Sequence, residues 1–457
     1  MRIRSAALAA AALAALALQA RAARADDDAR QKELDDLYQQ VHQLEQRIDE
    51  LEAAKAASSG TGGSGGSTSS AASWAERVRV SGSANLDYLK GGEYNLFDHG
   101  SVKLYDSRIF IDADLARDTH VGNFTAFRDA GFSFEWNVFR AGYFQNNVGD
   151  LYVDLRGLGD TDWANLQLGR FQIPFGENYL RFGRGYYTDP FIALSAPPPW
   201  FWDEGVKLWG KLFEGKASYV FSWTDGDNAI NNLPDGGQQV TLKLAADPWE
   251  WLHLSVSGLR SGVIGSDTSP AFAAVWLGEM IPRAFGAGTS AQSFANGVPI
   301  APGPNKLDGI TILGGDAIFK LPDTRLWLSY GGARIDSSGG ASYDRDLIYW
   351  LAELVVQAHL IAPQLAPLYI AARASGLGTY KDNEGYLLDF RDSAVGYNMR
   401  ALNVYALALG YPIGEFMTVK AQYAFQRIAL VHGVVGDSIK DGASDGNFFG
   451  LEVGVHF

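Results

Sequence analysis

The chain has 457 residues, a formal net charge of −14 and no cysteine. The missing cysteines exclude disulfides, thiolate nucleophiles and thiolate metal sites, and the acidic balance argues against nucleic acid as a partner. The length allows several ordinary domains or one large barrel. Glycine (52) and aromatics (25 Phe, 20 Tyr and 12 Trp) are both abundant, a pairing that suits β-hairpins and interfacial aromatic belts better than a helical protein.

Residues 1–25 have a basic start, an Ala/Leu core and a small-residue end, Ala23-Arg24-Ala25. This is the pattern of a secretory signal peptide, with Asp26 as the expected first residue of the mature chain. The segment carries four arginines and no acid, so its removal moves the net charge from −14 to −18. The apolar core is short for an anchoring helix.

Residues 26–57 form the next unit. Leu34, Leu37, Val41, Leu44, Ile48 and Leu51 step by 3, 4, 3, 4, 3, the seam of a coiled coil. It covers about two and a half heptads and is marginal alone, so it needs partners held nearby. Val41 and Ile48 at a with leucine at d favour two strands, a preference that a trimeric body overrides. The alternative is one amphipathic helix packed on its own domain. Ten acids against four basic residues between Asp26 and Ser58 argue against direct binding to anionic lipid. Residues 58–76 are a Gly/Ser-rich flexible linker.

Over residues 77–457 the period becomes two. Val78, Val80, Gly82, Ala84, Leu86 and Tyr88 share one side; Ile109, Ile111, Ala113 and Leu115 oppose Arg108, Phe110, Asp112 and Asp114; Leu151, Val153 and Leu155 oppose Tyr152, Asp154 and Arg156. Hairpins turn through Glu214-Gly215-Lys216, Asp247-Pro248, Pro322-Asp323 and Pro412-Ile413-Gly414. Long irregular stretches separate them, the longest from about Val263 to Leu307. Lys207, Lys211, Lys243 and Lys420 fall on the polar sides.

Alternation alone fits either a soluble β-sandwich or a membrane barrel. The signal peptide, the contrast of short and long loops, and a final strand running Phe449, Leu451, Val453, Val455, Phe457 favour the barrel. In lipid every backbone group must be paired, so the last strand has to zip to the first. At about 9–11 residues per strand the expectation is an all-β, transmembrane antiparallel β-barrel of about 16 strands, with 18 as the next value, preceded by a short N-terminal coiled-coil helix. Barrels of that size leave an aqueous channel, so the inward polar residues are expected to line a pore rather than fill a core.

The stretch Asp150–Ala196 contains Gly169-Arg170-Phe171-Gln172-Ile173-Pro174-Phe175-Gly176-Glu177-Asn178. It resembles the phosphate-selective porin O/P family of bacterial outer-membrane porins. The resemblance implies a homotrimer of 16-stranded barrels with loops folded inward to narrow the pore. The chain departs from that family where Gln172 replaces the family's lysine, and in having no dense run of arginines; both bear against phosphate selectivity. A terminal strand ending on Phe457 resembles the signal that bacterial outer-membrane assembly machinery reads.

Selectivity in a channel comes from charged side chains at a constriction. The candidates are Arg108, Arg156, Arg170, Arg181, Arg184, Lys207 and Lys211, with the stretch after the motif as the inward loop. Ala196–Trp202, "APPPWFW", reads as a packing wedge or interfacial anchor. The seven histidines show no metal-ligand spacing, and no metal, cofactor or catalytic residue is expected. The expected function is passive diffusion of small hydrophilic solutes across the bacterial outer membrane, with a mild preference for anions such as phosphate or small carboxylates and with the N-terminal helix in the periplasm. The alternatives are an outer-membrane β-barrel hydrolase and a secreted β-sandwich binding protein.

Overall fold

The computed structural model describes residues 77–91, 100–140, 148–177, 179–182, 189–192, 202–225, 238–261, 264–265, 306–337, 344–381, 399–431 and 447–457. The expected signal peptide, coiled coil and linker lie outside the described residues. Arg79–His456 forms one compact unit.

The strands run β1 (Val78–Gly91), β2 (Ser101–Val121), β3 (Phe124–Arg140), β4 (Val148–Arg156), β5 (Asn165–Gln172), β6 (Trp202–Leu212), β7 (Ala217–Thr224) and β8 (Gln239–Trp249). Then follow β9 (Leu252–Ser261), β10 (Lys306–Leu321), β11 (Thr324–Ser337), β12 (Arg345–Gln357), β13 (Tyr369–Thr379), β14 (Met399–Ile413), β15 (Met417–Leu430) and β16 (Phe448–His456). Ile264–Gly265 pairs with β10 just beyond β9 and is its continuation, so among the described residues the strands number sixteen. Neighbours in sequence pair antiparallel, and β1 pairs with both β2 and β16. The seam sets Ala84 opposite Val455, Leu86 opposite Val453 and Tyr88 opposite Leu451. One closed sheet replaces the two stacked sheets of a sandwich.

The pattern of burial is inside out. Leu86, Tyr88, Leu151, Leu168, Val206, Phe221, Trp223, Leu242, Leu244, Leu254, Leu407 and Leu451 are exposed, while Asn85, Asp87, Glu135, Lys243, Glu353, Lys420 and Glu452 are buried. In water such an exterior exposes far more contiguous apolar surface than a soluble monomer carries; against hydrocarbon it is the favourable face. Short turns join β2 to β3, β6 to β7, β8 to β9, β10 to β11 and β14 to β15, and the connections 157–164 and 358–368 lie at that same end. Two turns sit a little later than the sequence suggests: Pro248 remains in β8 and Pro412 in β14. At the short-turn end Trp249 stacks on Trp251 (centroids 5.3 Å apart, planes 7° apart) and Trp251 on Phe319 (6.2 Å), a girdle suited to the headgroup level. The turn between β4 and β5 is clamped to β3 by Arg128, which binds Asp162 and the Thr161 carbonyl. That hydrogen bond and charge hold the Asp162 carboxyl below its ordinary range.

Part of the interior departs from expectation. Leu259, Ile312, Ala333 and Leu347 are successive cross-strand partners on β9–β12, and all are buried on the inner face. Here the barrel holds an apolar core as well as polar residues. Tyr349 lies opposite Gly331, which lies opposite Gly314; a Cβ at either glycine would strike the Tyr349 phenol. Tyr369 lies across Gly410 in the same way. Gly410→Ala is therefore expected to displace that ring and cost about 1–3 kcal/mol by overpacking. The heat needed to unfold the barrel in SDS should fall, and Tyr369→Leu in the same chain should restore it.

Candidate functional site

The segment after β5 enters the barrel. At its root Gly169 has φ +127°, and a Cβ there would collide with the Leu151 carbonyl oxygen on β4; a residue without a side chain lets the two backbones close up. Beyond it Phe171, Ile173, Phe175, Phe191 and Ile192 are each at most 2 % exposed. Phe175 reaches the Gly314 rest of Tyr349. The backbone N–H of Gly176 donates to Ser257 Oγ on β9 (3.0 Å), and that of Ile192 donates to Gln422 Oε1 on β15 (2.6 Å). Tyr369 donates to the Pro190 carbonyl (3.3 Å). The described pieces thus touch the inner wall at β9, β13 and β15, and the chain rejoins the wall at Trp202 on β6.

Two ionic latches hold this segment. In the first, Glu177 Oε1 accepts from Lys243 Nζ (2.7 Å) and from His253 Nε2 (2.9 Å), and His253 Nδ1 faces Asp247 (3.1 Å), itself paired with Lys320 (3.2 Å). Both ring nitrogens of His253 are engaged by carboxylates, which makes it a bridge between charges. In the second, Arg373 Nη2 donates to Asp189 (2.7 Å) and to Glu353 (2.8 Å), Nε donates to Glu353 (3.0 Å), and the guanidinium lies 3.9 Å from the centre of Phe191. Glu353 also accepts from Arg325 (3.1 Å). Arg373, Glu353 and Asp189 are all almost wholly buried. Toward the short-turn end the inward side chains keep contact with solvent: Arg156 is 59 % exposed, Lys320 51 % and Arg325 40 %. Pro190, Lys320, Asp323, Arg325, His359 and Tyr369 border a cavity of about 670 Å³ there.

The sequence candidates scatter. Arg108 is buried on the inner wall, paired with Glu135 (3.1 Å) and 5.9 Å from the Trp202 ring. Lys207 faces inward against the rings of Phe171 (4.7 Å) and Tyr152 (5.8 Å), with Asp150 and Asp154 the nearest acids. Arg156 pairs with Asp154 (2.6 Å). Lys211 is exposed at the end of β6, where its backbone N–H donates to Asp162. Arg170 is 3 % exposed, has Leu151 and Glu204 as cross-strand neighbours, and donates to Glu204 (2.8 Å) and to the Val148 carbonyl (3.3 Å). Arg181 lies in the short helix Tyr179–Phe182, and Arg184 lies outside the described residues. Trp202 of "APPPWFW" is buried and donates to Asp150 (3.1 Å). Sequence reasoning missed the latch residues Arg325, Glu353, Arg373, Asp189 and Glu177 as a set. The available signal was parity: Arg373 falls on the inward phase of its strand, between Ala371 and Ser375, and Glu177 lies within the quoted motif. Among the described residues no group of His, Asp and Glu is arranged to hold a metal ion.

No family model matches the chain, and no curated protein matches it in sequence. In structure it is similar to in-vitro folded OmpT, an outer membrane protein of Vibrio cholerae, at a TM-score of 0.52 and 10 % identity over 83 % of this chain and 97 % of that one. The trimer form of OmpT gives 0.52 at 11 % identity, over 83 % of this chain and 99 % of that one. OprB of Pseudomonas putida gives 0.50 at 10 % identity, over 84 % and 95 %. The likeness is one of fold, and the fold is that of an outer-membrane β-barrel.

Proposed function

We propose that this chain is an outer-membrane porin that lets small hydrophilic solutes diffuse passively through its barrel. The observation that carries the reading is a closed barrel, apolar outside and charged within, crossed by a segment latched at Glu177 and Asp189. A tethered segment of this kind narrows a lumen and sets what passes. A mild anion preference is the finer part of the proposal; its support is the set of solvent-accessible inward cations Arg156, Lys320 and Arg325, together with Lys207 beside the root of the segment. The motif at Gly169–Asn178 supports kinship with the phosphate-selective porins O/P, while Gln172 in place of lysine speaks for broad passage over phosphate specificity. A homotrimer fits the trimer form of OmpT and a coiled coil that needs partners. The other candidates enter as solvated or paired charges of the wall.

Purified protein in planar bilayers should give stepwise conductance, and in a salt gradient the reversal potential should lie toward the anion. Hydrolytic turnover without conductance would reject the channel. A cation preference that persists after the lumen acids are neutralised would reject the anion preference alone.

A further inference from the structure

His253 on β9 stands where the inward segment meets the wall. Its Nε2 lies 2.9 Å from Glu177 Oε1 on the segment, and its Nδ1 lies 3.1 Å from Asp247 Oδ1 on β8. A carboxylate only accepts, and a neutral imidazole carries one N–H; the imidazolium carries two. Both contacts together therefore require the charged ring. Once the proton leaves, one nitrogen turns a lone pair toward a carboxylate, and the remaining bond loses the charge on its donor. The His253 side chain is 16 % exposed and that of Asp247 42 %, so water and protons reach the pair.

The neighbours decide how far this carries. From β8, Lys243 donates to the same Glu177 oxygen (2.7 Å) and lies 4.8 Å from the ring of Tyr179 on the segment. From β10, Lys320 donates to Asp247 (3.2 Å), and Asp316 accepts from Ser255 of β9 (3.3 Å) and from Trp327 of β11 (3.0 Å). Lysine titrates well above histidine, so Lys243 still holds Glu177 when His253 is neutral, and the first latch loosens without vanishing. The second latch sets arginines on carboxylates and, among the described residues, includes no histidine. Undocking the segment takes Glu177 away and leaves His253 with Asp247 alone, so docking and protonation favour each other. We infer that His253 is a pH-sensitive catch on the inward segment, which is held fast while the imidazole is charged and eased as rising pH takes its proton. The inference rests on the channel reading and adds a control to it.

The test is the single-channel current of the purified protein in planar bilayers at fixed salt, from about pH 5 to about pH 9. Losing one charge-assisted bond should move the docked-to-released ratio by roughly tenfold, read as a larger share of time in the high-conductance state at the alkaline end. His253→Gln has no proton to lose in this range and should stay at the alkaline level throughout. Asp247→Asn removes the second carboxylate, so a neutral ring keeps its N–H for Glu177 and accepts from the amide; this variant should stay near the acid level throughout. Heat-modifiable mobility in SDS reports folding, and Asp247→Asn serves alone if His253→Gln does not fold. His359→Gln, beside Asp323 at the short-turn end (3.3 Å), should keep the wild-type response. A normal conductance that stays constant or falls as pH rises, a response that survives in His253→Gln, or one that His359→Gln abolishes, overturns the catch and leaves the channel reading standing. Absence of conductance at every pH removes the channel reading and the catch with it.

Discussion

Arg373→Ala is expected to raise single-channel conductance, because it opens the second latch. Alanine removes the bonds to Asp189 and Glu353 and the cation against Phe191. It leaves two buried carboxylates: Glu353 keeps Arg325, and Asp189 keeps the Phe191 N–H (3.0 Å). Removing one partner of a buried pair costs about 3–5 kcal/mol, since the remaining charge still lacks water. The docked segment escapes that cost by leaving the wall and hydrating Asp189. At about 1.4 kcal/mol per tenfold, a loss of about 3 kcal/mol shifts the docked-to-released ratio by roughly 150-fold. The lumen should then widen and larger solutes should pass. Arg373→Lys keeps the charge but loses the planar fork that serves both carboxylates, so an intermediate conductance is expected. Glu177→Gln tests the first latch by taking away the negative charge that Lys243 and His253 share and leaving an amide oxygen in its place. Equal conductance in the wild type and Arg373→Ala, with folding intact, would mean that the segment does not limit the pore.

The two latches also show why the barrel was legible in the sequence and its constriction was not. Alternation is a local property, and the row Leu151, Val153, Leu155 read from residue order lies on the outward side, with Leu151 exposed. Closure followed from the need to pair every amide in hydrocarbon, and the seam from Ala84–Val455 to Tyr88–Leu451 meets that need. The inward segment obeys contacts that no local period encodes. Gly176 reaches Ser257, 81 residues on; Asp189 reaches Arg373, 184 residues on; Ile192 reaches Gln422, 230 residues on. The apolar inner patch on β9–β12 was hidden for a different reason. "GITILGG" and "LIYWLAELVV" are apolar on both faces, and an unbroken apolar run does not reveal which face is the interior.

The charge most damaging to this fold is one placed on its outside. Leu407 points outward from β14, is 57 % exposed, and lies between Ala372 of β13 and Tyr423 of β15. For a soluble sheet, arginine at so exposed a position would be nearly neutral. Against hydrocarbon it should cost about 2–4 kcal/mol near the midplane. Leu360 is a matched control: it is 55 % exposed, but it sits in the 3-10 turn Ala358–Leu360 at the short-turn end, where arginine should cost about 0–1 kcal/mol. Urea unfolding of the barrel in lipid vesicles should therefore show Leu407→Arg losing several times more stability than Leu360→Arg. In detergent-free buffer the two cannot be compared, because the apolar exterior that makes the difference would itself drive aggregation. Equal, small losses at both positions in vesicles would place water on the Leu407 side, and the polar interior would then have to be explained without a membrane.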